Sequence, residues 1–206
     1  MGRGRFITLE GGEGAGKSTQ ARTLAGALAD AGLPVLLTRE PGGAPGAEAV
    51  RDLLLGRGWD GIAECLLHFA ARREHAARMI EPALAAGIWV VCDRFADSTL
   101  AYQVHGQGVP RAAFDAIAGA ALQGLRPDLT LVLDVPPGLG MARVQARGEV
   151  NRYDRLDAGF HERVRDGFAA VLAAEPGRCL RIDASATAPE VAAAILGAVT
   201  ARLLPA

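Results

Sequence analysis

Short apolar runs alternate along the chain with longer segments whose apolar residues recur at helical spacing. The runs predict five β-strands, at residues 6–10, 34–38, 87–92, 129–134 and 179–183. The second run is continuously apolar, so we expect that strand to be buried on both faces. Because strands that alternate with helices pair in parallel, the pattern predicts an α/β fold in which a five-stranded parallel sheet carries helices on both faces.

The segments between the strands predict helices. Their expected positions are residues 17–31, 47–55, 62–80, 98–105, 111–122, 138–147, 158–174 and 189–203. Between two of these helices, residues 148–157 are polar and charged. No repeat, low-complexity tract or linker divides the chain, so we predict a single domain over residues 1–206.

The first strand runs into a glycine-rich turn with the spacing G-x-x-x-x-G-K-S, and then into a helix. Glycine permits conformations in which backbone N–H groups turn inward around a phosphate, and the helix N-terminus adds its dipole. This is the phosphate-binding P-loop in its required context, which disfavours a turn without a ligand. We expect Lys17 to reach the β- and γ-phosphates of a nucleotide and the Ser18 hydroxyl to bind Mg²⁺. The residues assigned to phosphate binding are Gly11, Gly12, Glu13, Gly14, Ala15, Gly16, Lys17, Ser18 and Thr19.

The composition restricts the class of protein. The chain has 206 residues, 50% of them apolar, and its net charge of −1 argues against a general nucleic-acid-binding or membrane-surface protein. Its three cysteines lie in apolar runs without metal-ligand spacing, which indicates a reducing compartment. No apolar run is long enough to span a membrane, so we expect a cytoplasmic protein.

Arginines on separate elements predict a second anion site. Arg51, Arg73 and Arg94 belong to three elements that we place near the same sheet edge. Because arginine binds phosphate through two parallel hydrogen bonds, this group suggests phosphoryl transfer between two nucleotides. Lys17 is the only lysine among 22 basic residues, so a guanine-specifying N-K-x-D motif is impossible and a GTPase is disfavoured.

More arginines surround the polar span after the fourth strand. They are Arg143, Arg147, Arg152 and Arg155. We expect an arginine-rich lid at about residues 147–157 that closes on the transferring phosphoryl group, where arginine stabilises transition-state charge. The alternative is a solvated charged loop whose arginines pair with Glu149 and Asp154.

Five segments together resemble bacterial thymidylate kinases, which are P-loop nucleoside monophosphate kinases. They are the P-loop, T-R-E-P-G-G at 38–43, L-L-H-F-A-A-R-R at 66–73, D-R-F at 93–95 with S-T-L-A-Y-Q at 98–103, and R-G-E at 147–149. These segments follow the family's order and span nearly the whole chain. The resemblance implies transfer of the γ-phosphoryl group of MgATP to dTMP, giving ADP and dTDP for dTTP synthesis, by a homodimer packed through helices.

The resemblance also assigns an acceptor site. Phe69 would stack on the pyrimidine ring, and Arg73, one helical turn later, would hydrogen-bond a base carbonyl. The residues alone instead favour a plain core aromatic at Phe69. Thr99 and Gln103 would read the base edge. The dTMP-binding residues implied are Glu13, Glu40, Arg51, Phe69, Arg73, Arg94, Ser98, Thr99, Tyr102 and Gln103.

The remaining roles implied by the resemblance concern phosphates and the nucleotide donor. Glu13 would face the sugar of the acceptor, since an acid aimed at the phosphates of ATP would repel them. Asp93 would act with Ser18 on Mg²⁺, through water. Ser185 would lie near the adenine. The catalytic residues implied are Lys17, Arg94, Arg147 and Arg152.

Two positions depart from the family pattern. Ala44 stands where the family usually has threonine, and Asp97 stands where many members have a neutral residue. Both lie near the predicted acceptor site, so they bear on base preference more than on the reaction. Two alternatives stay open: a P-loop kinase for another small phosphorylated acceptor, and a nucleotide-binding regulator that transfers no phosphoryl group. We expect neither nucleic acid nor a membrane as a partner.

Overall fold

The computed structural model describes residues 2–148 and 151–204. Its strands form one parallel sheet in the order β2-β3-β1-β4-β5. They are β1 (Phe6–Glu10), β2 (Val35–Arg39), β3 (Trp89–Asp93), β4 (Leu129–Asp134) and β5 (Cys179–Asp183). Three strands have the predicted bounds, and β2 and β3 lie one or two residues later. The predicted five-stranded parallel sheet is confirmed.

Helices cover most of the segments between the strands. They are α1 (Lys17–Asp30), α2 (Pro45–Gly56), α3 (Gly61–His75), α4 (Glu81–Ala85), α5 (Ala96–Thr99), α6 (Arg111–Leu122), α7 (Pro137–Arg147), α8 (Ala158–Ala174) and α9 (Ala188–Leu203). The helix predicted over residues 62–80 ends in a π-helical turn, Ala76–Ile80, which leads directly into α4. A second π-helical turn, Leu100–Gly106, continues α5. Because π-helical turns are frequent at functional sites, the residues of the second turn are candidates for a functional site.

Helices pack on both faces of the sheet, as predicted. On one face, Leu28 of α1 and Ile195 of α9 share a buried cluster with Leu9 of β1. On the other face, Phe6 and Val90 belong to a cluster that includes residues of α4. Because the central strands are covered on both sides, their sequences are almost continuously apolar.

The exposure of β2 corrects one expectation. This strand lies at the edge of the sheet, and its residues are half-buried or exposed, with Leu37 at 42%. An edge strand has a neighbouring strand on one side alone. Its apolar composition therefore did not imply burial on both faces.

The topology brings three chain segments to one edge of the sheet. β1 lies in the middle with β3 and β4 on either side, and such a switch point leaves a crevice at the carboxyl ends of the strands. The P-loop follows β1, Glu40 follows β2 and Asp93 ends β3. The predicted site residues after these strands are thus neighbours in space.

Two expectations from composition can be compared with the structure. The cysteines Cys65, Cys92 and Cys179 are buried and unpaired, as their apolar surroundings predict. Over residues 2–148 and 151–204, no helix has both the length and the apolar character needed to cross a membrane.

Candidate active site

A cavity of about 560 Å³ opens at this edge of the sheet, a volume typical of sites for small molecules. Most of the predicted site residues line it: Glu13, Gly14, Gly16, Lys17, Ser18, Thr19, Glu40, Arg51, Asp93, Arg94, Ser98, Thr99, Tyr102, Gln103 and Arg147. Its other lining residues are Arg39, Pro41, Leu55, His68, Arg72, Asn151 and Tyr153, none of which was assigned to a site from the sequence.

The P-loop forms one end of the cavity and lies directly against α7. Gly14 has a φ of +69°, and a Cβ there would lie 2.0 Å from the carbonyl oxygen of Gly140. A Cβ on Gly140 would in turn lie 2.3 Å from the carbonyl oxygen of Glu13. The two glycines therefore permit this close approach of loop and helix. Gly11, Gly12 and Ala15 belong to the loop but not to the cavity wall.

The Lys17 side chain lies inside the P-loop. Its Nζ donates to the carbonyl oxygen of Gly12 at 2.7 Å, and the residue is 7% exposed. Burial, together with the positive charge of Arg94, lowers the pKa of Lys17 to about 8. An ammonium so poorly solvated gains strongly from a nearby anion, so its position fits a nucleotide phosphate.

The two residues predicted to bind Mg²⁺ are in contact. The Ser18 hydroxyl donates to the Asp93 carboxylate, and both residues line the cavity beside Lys17. In the described part of the chain, no group of three or more His, Cys, Asp or Glu side chains could hold a metal ion. Two protein oxygens suit Mg²⁺, which usually keeps several waters and also binds substrate phosphates. These residues therefore fit a Mg²⁺ ion that arrives with a nucleotide.

Arg94 is fixed by acceptors from several elements. Its Nη2 donates to Glu13 Oε1 at 3.0 Å and to the Tyr102 hydroxyl at 3.1 Å, while its Nη1 donates to the Ser98 hydroxyl at 3.0 Å. Its φ of +75° is rare for a residue with a side chain and persists only where the surroundings impose it. Burial opposes the charge of Arg94, but Tyr102 and Glu13 outweigh burial and raise its pKa.

Glu13, the acidic residue inside the P-loop, points towards Arg94. The Tyr102 hydroxyl also donates to its Oε1, at 2.8 Å. Burial alone would raise the pKa of Glu13, but the charges of Arg94 and Lys17 lower it. The carboxylate is thus ionised and directed along the cavity wall to Arg94 and Tyr102.

A buried ion pair holds Arg72 at the other end of the cavity. Its Nε donates to Glu40 Oε2 at 2.6 Å, and both side chains are 2% exposed. Its Nη1 donates to the Thr99 hydroxyl at 3.2 Å, and its Nη2 donates to the Phe95 carbonyl at 3.0 Å. His75 contacts the second oxygen of Glu40 at 3.1 Å. These contacts fix one guanidinium in the cavity wall next to Thr99.

Phe69 and Arg73 lie outside the cavity, contrary to their assignment. Phe69 is 1% exposed and packs on Phe114 of α6, with ring centroids 5.5 Å apart. Arg73 donates to Glu81 at 2.8 Å and to the carbonyl of Ala121 at 3.2 Å.

His68 and Arg72 of the same helix line the cavity instead. They have the same i,i+4 spacing one residue earlier, and spacing alone cannot distinguish the two pairs. The core aromatic that the residues alone favoured at Phe69 is the observed arrangement.

The second π-helical turn and the residues before it supply one wall of the cavity. Ser98, Thr99, Tyr102 and Gln103 are buried and line the cavity together. The Ser98 hydroxyl donates to the buried carboxyl group of Glu10 at 2.5 Å. Burial, followed by the charge of Asp97, raises the pKa of Glu10 to about 8.

Arginines also meet where the loop after β2 borders the cavity. Arg51 of α2 donates to the carbonyl oxygen of Pro41 at 2.7 Å. Arg39, at the end of β2, pairs with Glu48 at 3.2 Å and lines the cavity beside Arg51. Arg39 was not assigned from the sequence, although its place at the carboxyl end of a strand was a usable signal. Of the three arginines predicted to form a second anion site, Arg51 and Arg94 line the cavity and Arg73 does not.

The two arginines predicted to act from the lid have different positions. Arg147 ends α7 and lines the cavity. Arg152 donates through Nη2 to Glu64 Oε2 at 2.6 Å and does not line the cavity. Glu149, one of the predicted loop partners, lies outside the described residues.

Ser185 follows β5 and belongs to a hydrogen-bonded turn. Its N–H donates to Asp183 Oδ1 at 2.9 Å, and Arg143 donates to its carbonyl oxygen at 3.2 Å and to that of Ala184 at 2.7 Å. Ser185 does not line the cavity. Its contact with adenine stays a prediction.

Comparisons with known proteins identify the family. Residues 9–195 match the model of the thymidylate kinase family. A thymidylate kinase of Caulobacter vibrioides is 50% identical, covering 98% of this chain and 99% of its own, and one of Gluconobacter oxydans is 53% identical, covering 96% and 95%. The crystal structure of thymidylate kinase from Ehrlichia chaffeensis has a TM-score of 0.78 and 35% identity, and covers 96% of this chain and 99% of that chain. The resemblance of the five segments is therefore confirmed, and this chain belongs to the thymidylate kinase family.

Proposed function

We propose that this protein transfers the γ-phosphoryl group of MgATP to dTMP and so forms ADP and dTDP. The observation that carries the proposal is one cavity with two chemically different ends. The donor end comprises the P-loop residues with Asp93. The acceptor end is lined by Glu40, Arg51, His68, Arg72, Arg94, Ser98, Thr99, Tyr102 and Gln103.

At the donor end, the P-loop and Lys17 bind the phosphates of ATP. Ser18 and Asp93 would hold Mg²⁺ beside the P-loop. When bound, the ion would neutralise negative charge on the phosphates of ATP. The contact of Ser18 with Asp93 and the burial of Lys17 support this arrangement.

At the acceptor end, the base of dTMP lies between α3 and the second π-helical turn. His68 and Arg72 take the roles first assigned to Phe69 and Arg73, because they line the cavity. Burial and the charge of Arg72 lower the pKa of His68 to about 3, so its imidazole is neutral and offers a flat, uncharged ring to the base. Thr99 and Gln103 remain the residues that read the base edge.

The reaction needs no general base. The second pKa of a phosphate monoester is about 6, so the attacking oxygen is already deprotonated near pH 7. The barrier is the repulsion between two polyanions, which Lys17, Arg94 and Arg51 reduce while they align the groups. We assign the lid arginine that meets the transferring group to Arg147, since it lines the cavity. Arg152 is instead paired with Glu64 and does not line the cavity.

Three further properties belong to this proposal. Residues 1–206 form one domain with a lid at about 147–157.

The protein is a homodimer that packs through α3 and α6. Ile62 and Leu66 of α3 are 43% and 51% exposed, and within the apolar α6 only Phe114 is buried. It acts in the cytoplasm, where the three unpaired cysteines remain reduced. Light scattering of Leu66→Arg tests the dimer, since an added charge should yield monomers.

The decisive experiment measures ADP release from MgATP with dTMP, dUMP, CMP, AMP, GMP or no acceptor. Turnover with dTMP far above the others is the expected result. A different preferred monophosphate would keep the kinase class and reassign His68, Arg72, Thr99 and Gln103. Equal ADP release without an acceptor, or none with any, would overturn the proposal.

A further inference from the structure

One buried carboxylate beside the acceptor end collects four hydrogen bonds. Glu64, in the first turn of α3, is fully buried and does not line the cavity. Its Oε1 accepts from Gln103 Nε2 at 2.9 Å, Gln107 Nε2 at 2.7 Å and the Tyr153 hydroxyl at 2.9 Å. Its Oε2 accepts from Arg152 Nη2 at 2.6 Å. Two of these donors, Gln103 and Tyr153, belong to the cavity wall.

The contact with Glu64 determines which end of the Gln103 amide faces a ligand. A carboxylate paired with arginine only accepts hydrogen bonds, whereas a glutamine amide can donate through nitrogen or accept through oxygen. Gln103 must therefore turn its nitrogen towards Glu64. Its carbonyl oxygen lies on the other side of the amide and is the atom left to receive a donor from the cavity.

The same reasoning fixes a second lining residue. The single hydroxyl proton of Tyr153 is donated to Glu64, so Tyr153 can only accept at its 3.1 Å contact with His68 Nε2. The proton of the neutral His68 ring is thus on Nε2. A chain of donations runs from His68 through Tyr153 to Glu64, and a parallel one runs from Gln103 to Glu64.

We propose that Glu64 is a positioning residue for base selection, which turns the carbonyl oxygen of Gln103 towards the N3–H of a pyrimidine-2,4-dione and sets the ring proton of His68. This inference rests on the proposed function. A 2,4-dione carries a hydrogen on N3, whereas a 4-aminopyrimidine carries a lone pair there. A fixed acceptor at Gln103 therefore favours the dione and repels the 4-amino base. The contact of Glu64 with Arg152 also joins this arrangement to the lid.

The test compares dTMP with 5-methyl-dCMP, which differs from it only at N3 and position 4 of the ring. Glu64→Gln places an amide where only an acceptor stood, so Gln103 can adopt either orientation. The preference for dTMP, measured as the ratio of the two dissociation constants by calorimetry without ATP, should fall roughly tenfold, the size of one mismatched hydrogen bond. Glu64→Asp keeps a group that only accepts and should retain most of the preference.

Gln107→Ala is the matched control. Gln107 donates to the same oxygen of Glu64 but does not line the cavity, so its removal should leave the preference unchanged. If Glu64→Gln does not fold, Gln103→Met provides a second variant, which removes the acceptor and should lower the preference by a similar factor.

The outcomes separate this inference from the proposed function. A folded Glu64→Gln variant with the wild-type preference, an equal loss of affinity for both nucleotides, or a similar change in Gln107→Ala would overturn the inference. Absence of dTMP phosphorylation by the wild-type protein would overturn the proposed function instead.

Discussion

At the donor end of the cavity one stretch of chain supplies most of the groups, whereas at the acceptor end side chains from several elements meet. The P-loop residues follow β1 directly, and only Asp93 comes from elsewhere. The acceptor end combines Glu40 from the loop after β2, His68 and Arg72 from α3, and residues of α5 and the π-helical turn after it. One contiguous segment therefore builds the donor end, whereas the acceptor end depends on how separate elements pack.

Because of this difference, substitutions at the donor end should affect activity without destabilising the fold, whereas substitutions at the acceptor end should affect both. The buried charge at the donor end, Lys17, has a lowered pKa, which means that folding disfavours its charged form. The buried charge at the acceptor end, Arg72, is paired with the equally buried Glu40. We therefore expect substitutions at the two ends to differ in their effect on folding as well as on activity.

The largest effect is expected for Lys17→Ala. Removing the ammonium should lower kcat/KM by roughly 10³, the upper range for loss of one group that stabilises transition-state charge. Because the pKa of Lys17 is lower in the folded than in the unfolded chain, the charged lysine opposes folding fully below about pH 8 and progressively less as the pH rises towards 10.5. The free energy of unfolding at pH 7, measured with denaturant, should therefore stay equal or rise. A marked loss of stability would contradict the separation of the two properties at the donor end.

A comparison of Arg72→Ala with Arg73→Ala sharpens the contrast at the acceptor end. Loss of Arg72 should lower kcat/KM for dTMP by roughly 10². It also leaves Glu40 buried without its partner, which should lower the free energy of unfolding by about 3–5 kcal/mol. Arg73 pairs with the partly exposed Glu81, so its removal should cost less than about 1 kcal/mol and leave kcat/KM nearly unchanged.

Steady-state kinetics and denaturant unfolding of both variants check this expectation. If Arg72→Ala does not fold, Arg72→Lys keeps the charge without the planar fork and should still lose dTMP turnover. If the two alanine substitutions lower kcat/KM for dTMP equally, the face of α3 that borders the cavity is wrongly assigned.

The same contrast explains how far the sequence could predict the molecule. The sheet and the P-loop follow from contiguous signals, since a strand, a glycine-rich turn and a helix occur in one stretch. The acceptor end depends on which face of α3 meets the cavity. Phe69 with Arg73 and His68 with Arg72 have identical spacing, and only packing of Phe69 on Phe114 distinguishes them.

Two other features could not be derived from local patterns. The Glu64 carboxylate collects donors from positions up to 89 residues away in the chain, which no spacing rule reveals. Because Arg152 is held by that contact, the sequence of the charged span could not show that Arg147 lines the cavity and Arg152 does not. The exposure of β2 depends on strand order in the sheet, which its own apolar residues do not specify.

The smallest effect concerns pH and belongs to the donor end alone. In the free protein the pKa of Lys17 is about 8, and a bound phosphate should raise it by favouring the charged form. ATP should therefore bind most tightly below pH 8. Above pH 8 the affinity should fall, with a limiting slope of tenfold per pH unit, and binding should be accompanied by proton uptake. Calorimetry between pH 7.5 and 9.5, in buffers of different ionisation enthalpy, measures both quantities. Lys17→Ala should bind ATP more weakly but without this slope, and a slope that persists in that variant would assign the titration to another group.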